Sequence, residues 1–283
     1  MYDLHMHSKY SFDGHHEVAE LCERAIELGM NGIAITDHID QVATPRLFPE
    51  FTPDKLALTA KGSFESAIEA QIKYSGRLEV FRGIELGQAL HNRELSEFIL
   101  HTYDYDFVHG SIHNLRATDD FYFIKYESAE HAHTLLHEYF NELLNIINWG
   151  MFDSLAHLTY PLRYMVGRDK ISVDISLFKE KIDEILSLII KKDIALEINT
   201  SGLRQEIEDT LPSEHFVRRY RELGGKYITF GSDTHRIGDF AFGLCQGTEM
   251  AQRCGFDSLT IFRKRKPYLV PFNECAGGLW QSL

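Results

Sequence analysis

Cysteine is scarce in this chain of 283 residues, which has four, none of them in a Cys-x-x-Cys pair. Four scattered cysteines form neither the framework of a small disulfide-stapled domain nor the thiolate cage of a structural zinc site. Disulfides are rare in reducing compartments. We therefore expect reduced thiols in a cytoplasmic protein at Cys22, Cys245, Cys254 and Cys275.

Long hydrophobic runs and an excess of basic charge are also absent. No segment is long enough to cross a bilayer, and the first positions, with their acidic and histidine residues, do not resemble a signal peptide. The formal net charge is −13, with 29 basic against 42 acidic residues. Because nucleic-acid surfaces neutralise phosphates with Lys and Arg, we expect neither a nucleic-acid nor a membrane partner. The sequence is silent on oligomeric state.

No linker rich in Pro, Gly or Ser divides the chain, and no internal repeat is visible. Short apolar segments alternate instead with segments of helical periodicity. Seven strands are predicted: an opening strand, then 32–36, 78–84, 106–112, 152–156, 195–199 and 227–235. Such alternation predicts parallel pairing with right-handed crossovers. Since no glycine-rich dinucleotide loop is present, we favour a closed or nearly closed (β/α) barrel over an open sheet, formed by residues 1–283 as one domain.

The helices predicted between these strands are 17–30, 54–74, 93–101, 130–147, 174–191 and 213–223, and residues 239–253 with a short tail complete the chain. Ser213 is a plausible N-cap of its helix. Residues 114–128 lack periodicity and are expected to form a loop over one face. The run Arg263–Lys266, RKRK, is expected to be a solvated terminal stretch, with an anion-binding patch as the alternative.

Residue types that bind metals follow nearly every predicted strand. They are His5 and His7, Asp37 and His38, Glu85, His113, His157, Glu197 with Asn199, and Asp233 with His235. The carboxyl ends of barrel strands converge on one mouth, where active sites are built. Imidazoles with carboxylates suit zinc, iron or manganese, and about nine candidates imply two or three divalent ions. Such a cluster fits hydrolytic displacement at phosphorus.

Three arginines follow strands at the same predicted mouth: Arg163, Arg204 and Arg116. Their planar guanidinium groups suit a phosphate monoester, and Ser201 with Gly202 could add backbone donors. The expected catalytic residues are Glu85, Asp233, Arg163 and Arg204; the expected substrate-binding residues are Arg163, Arg204, Arg116 and Ser201. His133 and His137, in contrast, lack the glutamate of a zincin motif and are expected to have surface or packing roles.

Six segments together resemble the polymerase and histidinol phosphatase (PHP) superfamily. They are DLHMHS at the start, ITDH at 35–38, GIEL at 83–86, HGSIHNL at 109–115, AHL at 156–158 and GSDTH at 231–235. Over the whole chain the resemblance is to the monofunctional histidinol-phosphate phosphatases. It implies a distorted (β/α)7 TIM-like barrel. It also implies hydrolysis of L-histidinol phosphate, a step of histidine biosynthesis, by a metal-bridged hydroxide.

The resemblance also implies a trinuclear site. One metal would take His5, His7, Glu85 and Asp233; a second would share Glu85 and add His113 and His157; a third would use His38, His235 and Asp13. Many members of the superfamily carry His at the position of Asp13. The alternative is that Asp13 only caps a turn and that His15 or His16 is the ligand. Asp3 is expected to orient one of the first two histidines.

Other functions remain open from the sequence. One is a different PHP phosphoesterase acting on phosphotyrosine or nucleotide phosphates, and another is a metal-binding PHP protein without turnover. An amidohydrolase on a similar barrel also uses His-x-His on its first strand. The arginines expected at the mouth favour phosphate chemistry over the amidohydrolase.

Overall fold

The computed structural model describes residues 1–41, 51–116 and 118–275, except for the side chain of Cys275. Parallel strands form a nearly closed barrel with helices outside it. The barrel strands are β1 Tyr2–Asp3, β2 Gly32–Ile35, β3 His38–Asp40, β4 Glu79–Gly87, β5 Phe107–Ser111, β6 Ser154–Leu155, β7 Ala195–Asn199 and β8 Ile228–Gly231. The helices are α1 Val18–Glu27, α2 Pro53–Lys73, α3 Arg93–Thr102, α4 Ala129–Trp149, α5 Lys179–Lys191, α6 Glu214–Glu222 and α7 Leu244–Arg253.

The barrel has seven strand positions, because β2 and β3 both pair with β4 and together fill one of them. The strand order is β1-β2-β4-β5-β6-β7-β8, with every pair parallel. Backbone hydrogen bonds join the first and last positions: Leu4 N donates to Phe230 O at 2.8 Å, and His7 N to Thr234 O at 2.8 Å. The distorted (β/α)7 TIM-like barrel expected from the sequence is confirmed.

Most helices lie within a few residues of their predicted bounds, because their ends are encoded locally. α2 begins after Thr52, whose side chain accepts a hydrogen bond from Lys55 N at 3.4 Å, and Pro53 occupies its first turn. α7 begins at Leu244, directly after Gly243, whose φ of 74° is readily adopted by glycine.

Two other local predictions need correction. The segment predicted as one helix over 174–191 opens with a 3-10 turn, Ile175–Phe178, before α5. Ser213 is the residue before α6, but its side chain makes no capping hydrogen bond.

The chain after α7 forms a hairpin rather than a solvated terminal stretch, so that expectation was wrong. β9 Ser258–Arg263 pairs antiparallel with β10 Lys266–Pro271. Lys264 N donates to Asp106 Oδ1 at 3.1 Å, and Arg263 Nε lies 2.6 Å from Glu79 Oε1. Arg265 pairs with Asp153. Both arginines of the run are therefore held by carboxylates at the amino ends of barrel strands, opposite the mouth.

Among its described residues, the segment 114–128 contains no helix and no strand beyond an isolated bridge, as expected.

Cys22, Cys245 and Cys254 are free thiols, and the side chain of Cys275 lies outside the described residues. Within the described ranges, no helix has the length and apolar character that crossing a membrane requires.

Candidate metal centre

Glu85, near the carboxyl end of β4, lies at the centre of a ring of imidazoles. Its Oε1 is 2.9 Å from His157 Nε2 and 3.1 Å from His113 Nε2. Its Oε2 is 3.2 Å from His5 Nε2 and 2.9 Å from His38 Nδ1. The side chain is fully buried. Each carboxylate oxygen thus faces its own pair of histidines, which is the arrangement that a bridging carboxylate needs.

A second carboxylate, Asp233, completes a group with the two histidines after β1. Its Oδ1 is 3.3 Å from His7 Nε2 and 3.8 Å from His5 Nε2. Asp233 has φ 56°, a backbone conformation that side-chain-bearing residues rarely adopt. The ligand atoms of these three residues lie within 4.8 Å of one another, and Glu85 adds a fourth. The structure therefore brings together the four residues expected at the first metal.

The second group lies across Glu85. His113 and His157 place their Nε2 atoms 3.2 Å apart, both beside Glu85 Oε1. Asp40 Oδ2 lies 3.0 Å from His113 Nδ1, and the ligand atoms of His38, Asp40 and His113 also form a compact group. Asp40 was not predicted from the sequence, although it follows His38 by two residues on β3 and so shares its face.

The third compact ligand group is His7, His38 and His235, and Asp13 lies beside it, near the two histidines with which the resemblance grouped it. His235 Nε2 is 3.2 Å from Asp13 Oδ2 and 3.4 Å from His38 Nε2. His38 Nε2 is 3.9 Å from Asp13 Oδ1. His15 is exposed, and His16 Nδ1 lies 3.7 Å from Glu20 Oε2 in a contact with a surface glutamate. The geometry thus favours Asp13 over the two neighbouring histidines.

The residues present fit divalent metal ions. Several buried atoms at the centre lie close to one another but make no hydrogen bond of good geometry among the described residues: His5 Nε2, His7 Nε2, Asp13 Oδ1, His38 Nδ1, Asp40 Oδ1 and Glu85 Oε2. Each such atom costs about 1–3 kcal/mol when left unpaired, so their convergence calls for a common partner. Imidazole nitrogens with carboxylate oxygens suit zinc, iron or manganese.

Ring nitrogens that point away from the centre are held by neighbouring groups. His5 Nδ1 is 2.7 Å from Glu197 Oε1, and His7 Nδ1 is 3.1 Å from Ser11 Oγ. Such contacts fix the ring orientation and leave Nε2 as the inward lone pair. Glu197 also accepts the backbone N–H of His157 through Oε2 at 2.7 Å, so one buried carboxylate positions two of the candidate ligands.

Asp3 does not orient an imidazole, so that expectation was wrong. Its Oδ1 accepts from the backbone N–H of His5 at 3.3 Å and of Ser232 at 3.0 Å, and its Oδ2 accepts from Ser232 Oγ at 2.5 Å. Asp3 precedes His5 by two residues, and its carboxylate contacts Ser232, just after β8, rather than an imidazole ring. It stabilises the closure of the barrel, and Glu197 holds His5.

Electrostatics keep the central carboxylates ionised. Burial alone raises the pKa of Glu85, but the facing imidazoles of His113, His38 and His5 lower that pKa well below its ordinary value. The same opposition between burial and imidazoles, His5 first among them, lowers the pKa of Asp233. Both side chains are therefore available as anionic ligands at neutral pH.

A cavity of about 380 Å³ opens onto this centre, and Arg163 lies in its wall. The Arg163 side chain is buried; Nη2 donates to Ser201 Oγ at 3.2 Å and is 3.6 Å from Asp233 Oδ2, while Nε has no partner among the described residues. Ser201 does not line the cavity; its hydroxyl donates to Asn199 Oδ1 at 2.6 Å. The structure thus places a guanidinium beside the metal centre and Ser201 behind it.

The other two predicted arginines do not line this cavity. Arg204 donates to the carbonyl oxygens of Ser232 at 2.6 Å and Asp233 at 2.8 Å, and it is absent from the cavity wall. Arg116 is exposed and donates to Leu90 O at 2.8 Å, away from the centre. The predicted strand ends gave the position of these loops correctly. They did not give the direction of a side chain that lies three or more residues beyond the end of the strand.

Two further residues near the centre were missed. His109 is fully buried, its ring stacks on that of His5 at 4.6 Å, and its Nε2 is 3.1 Å from Leu4 O. The alternation on β5 could have revealed it, since His109 shares a face with His113. Tyr160, whose ring lies 4.9 Å from that of His113, follows a short strand and gives no periodic signal.

The helix-borne histidines have the surface roles expected of them. His133 Nε2 accepts a hydrogen bond from Asp174 N at 3.1 Å, and His137 is exposed beside Lys181. Neither belongs to a compact ligand group in the part of the chain that the structure describes.

Comparison with known proteins agrees with this geometry. The family model described as "PHP domain" matches residues 3–201. A probable histidinol-phosphatase of Clostridium acetobutylicum is 29% identical over 271 residues, which cover 94% of this chain and 98% of that protein. The histidinol-phosphatase of Lactococcus lactis is 26% identical over 266 residues, covering 93% of this chain and 95% of that protein. A crystal structure of histidinol phosphate phosphatase from Lactococcus lactis, complexed with zinc, L-histidinol and phosphate, superposes with TM-score 0.75 at 25% identity, covering 94% of this chain and 98% of that chain.

Proposed function

The chain belongs to the PHP domain family, and on that premise we propose that it is a metal-dependent phosphomonoesterase that hydrolyses L-histidinol phosphate to L-histidinol and phosphate. The similarity to histidinol-phosphatases extends over nearly the whole of both chains. The related Lactococcus lactis structure holds zinc together with L-histidinol and phosphate. Both findings support this substrate over other phosphate esters.

The observation that carries the proposal is the Glu85 carboxylate between two sets of imidazoles, beside a cavity with one buried arginine. A site for two or more cations next to a guanidinium suits a dianionic phosphate ester. Hydrolysis of an uncharged amide has no need of that guanidinium. Turnover distinguishes the enzyme from a metal-binding protein without activity.

Our proposed metal ligands are His5, His7, Asp13, His38, Glu85, His113, His157, Asp233 and His235. Two or three divalent ions bound there would supply an activated water and offset charge on the phosphoryl group. We propose zinc, iron or manganese, since the donor set suits all three. Arg163 would hold a phosphate oxygen, while Asp233 keeps the guanidinium directed toward the centre. Arg204 would act indirectly, as a positioning residue that holds the backbone of Asp233.

We further propose that residues 1–283 form one phosphoesterase domain that acts in the cytoplasm on a small phosphate ester. The net charge of −13 argues against nucleotide-polymer substrates. Phosphotyrosine and mononucleotides remain small enough for the cavity and belong in the substrate comparison.

A comparison of phosphate monoesters tests the substrate directly. With zinc, manganese or iron supplied, kcat/KM for L-histidinol phosphate should exceed that for p-nitrophenyl phosphate, phosphotyrosine and AMP by about 100-fold, because the cavity must distinguish the alcohol and not only the phosphate. Dialysis against a chelator should abolish turnover, and added metal should restore it. Equal rates on histidinol phosphate and p-nitrophenyl phosphate would contradict the assignment.

Arg163 should contribute strongly to phosphate binding and turnover. We expect Arg163→Met to lower kcat/KM for histidinol phosphate about 100-fold, since a buried charged donor to the phosphoryl group is lost. Metal content should stay unchanged. Arg116→Met is the matched control, expected to change kcat/KM less than twofold because Arg116 is exposed and bonded to Leu90 O. Equal effects of the two substitutions would remove Arg163 from the site.

A further inference from the structure

The cavity above the metal centre has a wall of different chemistry from its floor. The floor consists of candidate metal ligands, whereas the wall carries aromatic rings from Tyr122, Phe123, Tyr160 and Tyr164 together with the carboxylates of Asp119 and Asp120. A phosphate on the floor therefore leaves the alcohol part of a substrate against this wall. The wall should determine which alcohol is accepted.

Asp120 is held rigidly by one of its two oxygens. Oδ1 accepts the hydroxyl of Tyr160 at 3.0 Å and the backbone N–H of Tyr122 at 2.7 Å. Oδ2 has no hydrogen-bond partner among the described residues, and no described lysine or arginine forms an ion pair with the side chain. A fixed carboxylate with one free oxygen is suited to bind a cation that enters the cavity.

Tyr160 sets the distance between this carboxylate and the metal centre. Its ring lies 4.9 Å from the His113 ring and 5.0 Å from the His157 ring, and its hydroxyl bonds Asp120. The guanidinium of Arg163 lies 4.7 Å from the centre of the same ring. One phenol ring thus separates the cationic phosphate end of the cavity from its anionic end.

We infer that Asp120 binds the ammonium group of the substrate alcohol, which makes it a specificity-determining residue for phosphate monoesters of amino alcohols. The inference rests on the proposed function, because it takes the phosphate to lie on the metal floor. Burial raises the pKa of Asp120, and the nearby His113 opposes that shift, so a bound cation stabilises a carboxylate that has lost part of its hydration.

Two substrates that differ only in the amine test this role. L-Histidinol phosphate is compared with its deamino analogue, 3-(imidazol-4-yl)propyl phosphate, in the metal-loaded wild type, Asp120→Asn and the control Glu127→Gln. Glu127 is an exposed acidic residue of the same loop that does not line the cavity. We expect Asp120→Asn to lower kcat/KM for histidinol phosphate about 10- to 100-fold, mainly through KM, and to change that for the deamino analogue less than threefold. Glu127→Gln should change kcat/KM for both substrates less than threefold.

The outcomes separate the possible failures. Equal losses on both substrates in Asp120→Asn would show a structural role, and equal losses in the two variants would show a diffuse acidic field; either result overturns the inference. If the wild type hydrolyses neither imidazole compound faster than p-nitrophenyl phosphate, the proposed substrate fails instead. In that case Asp120 is still tested by comparing kcat/KM for phosphoethanolamine with that for ethyl phosphate. The inference is refuted if the wild type does not prefer the substrate with the amine, or if Asp120→Asn keeps that preference.

Discussion

Glu85→Gln should lower kcat for histidinol phosphate by about 1,000-fold or more and reduce the metal bound per chain. Both oxygens of this buried carboxylate face imidazoles, so an amide in its place removes an anion that lies between the two ligand groups. Two cations held close together then lose the charge that offsets their repulsion. A 1,000-fold loss corresponds to about 4 kcal/mol of transition-state stabilisation.

Glu79→Gln provides the control, since Glu79 begins the same strand and pairs with Arg263 at the opposite end of the barrel. It should keep full metal content and change kcat less than twofold. Metal is counted by inductively coupled plasma mass spectrometry on protein dialysed to constant composition, alongside circular dichroism to verify folding. Full metal content in a folded Glu85→Gln variant would disprove the bridge.

The site could be located from the sequence because strand periodicity and parallel pairing are enough to make strand ends converge. His5 and His7 alternate in the predicted opening strand and lie just beyond the shorter β1 of the structure, and Glu85, His113 and His157 follow or end other strands. They therefore meet around one centre, and this could be inferred without detailed knowledge of packing. What alternation cannot show is which neighbour each ring nitrogen contacts. The bond from Glu197 to His5 depends on how two strands face each other across the barrel interior.

The directions of side chains on loops could not be predicted from the sequence, and the reason is physical. A strand fixes the direction of its side chains, whereas each residue after a strand adds two free dihedral angles. Arg163 lies in the cavity wall, yet Arg116, three residues after His113, turns outward to Leu90. In the sequence the two arginines have the same charge and similar positions after a predicted strand. Only the path of each loop decides whether the side chain points into the cavity or away from it.

The C-terminal hairpin was not predicted because its turn is marked by a run of basic residues and its second strand lacks a periodic pattern of apolar residues. β10 is mostly exposed, and the turn consists of basic residues that predict a solvated segment. Lys264 and Arg265 have φ 51° and 63°, conformations usually given to Gly or Asn in two-residue turns. Hydrogen bonds and ion pairs with Asp106 and Asp153 hold the turn, and those partners are more than a hundred residues away in sequence.

The second large effect on activity is expected from substitution of Asp13, beside the third ligand group. At this position many members of the superfamily carry His. Asp13 Oδ2 is 3.2 Å from His235 Nε2, and Oδ1 is 3.9 Å from His38 Nε2. Although burial raises the pKa of Asp13, His38 and His235 lower it below its ordinary value, so the side chain is an anionic oxygen donor. Such a donor is harder than imidazole and favours manganese or iron relative to a site with His in its place.

We therefore expect Asp13→Ala to lose about one metal ion per chain and to lower kcat about 100-fold, because charge at the reacting phosphoryl group is no longer fully offset. Asp13→His should keep activity and shift the metal preference toward zinc. His15→Ala is the control: its side chain is exposed, and both metal content and kcat should be unchanged. Metal counts on the purified variants decide the matter, since full occupancy in Asp13→Ala together with a deficit in His15→Ala would transfer the ligand role to His15.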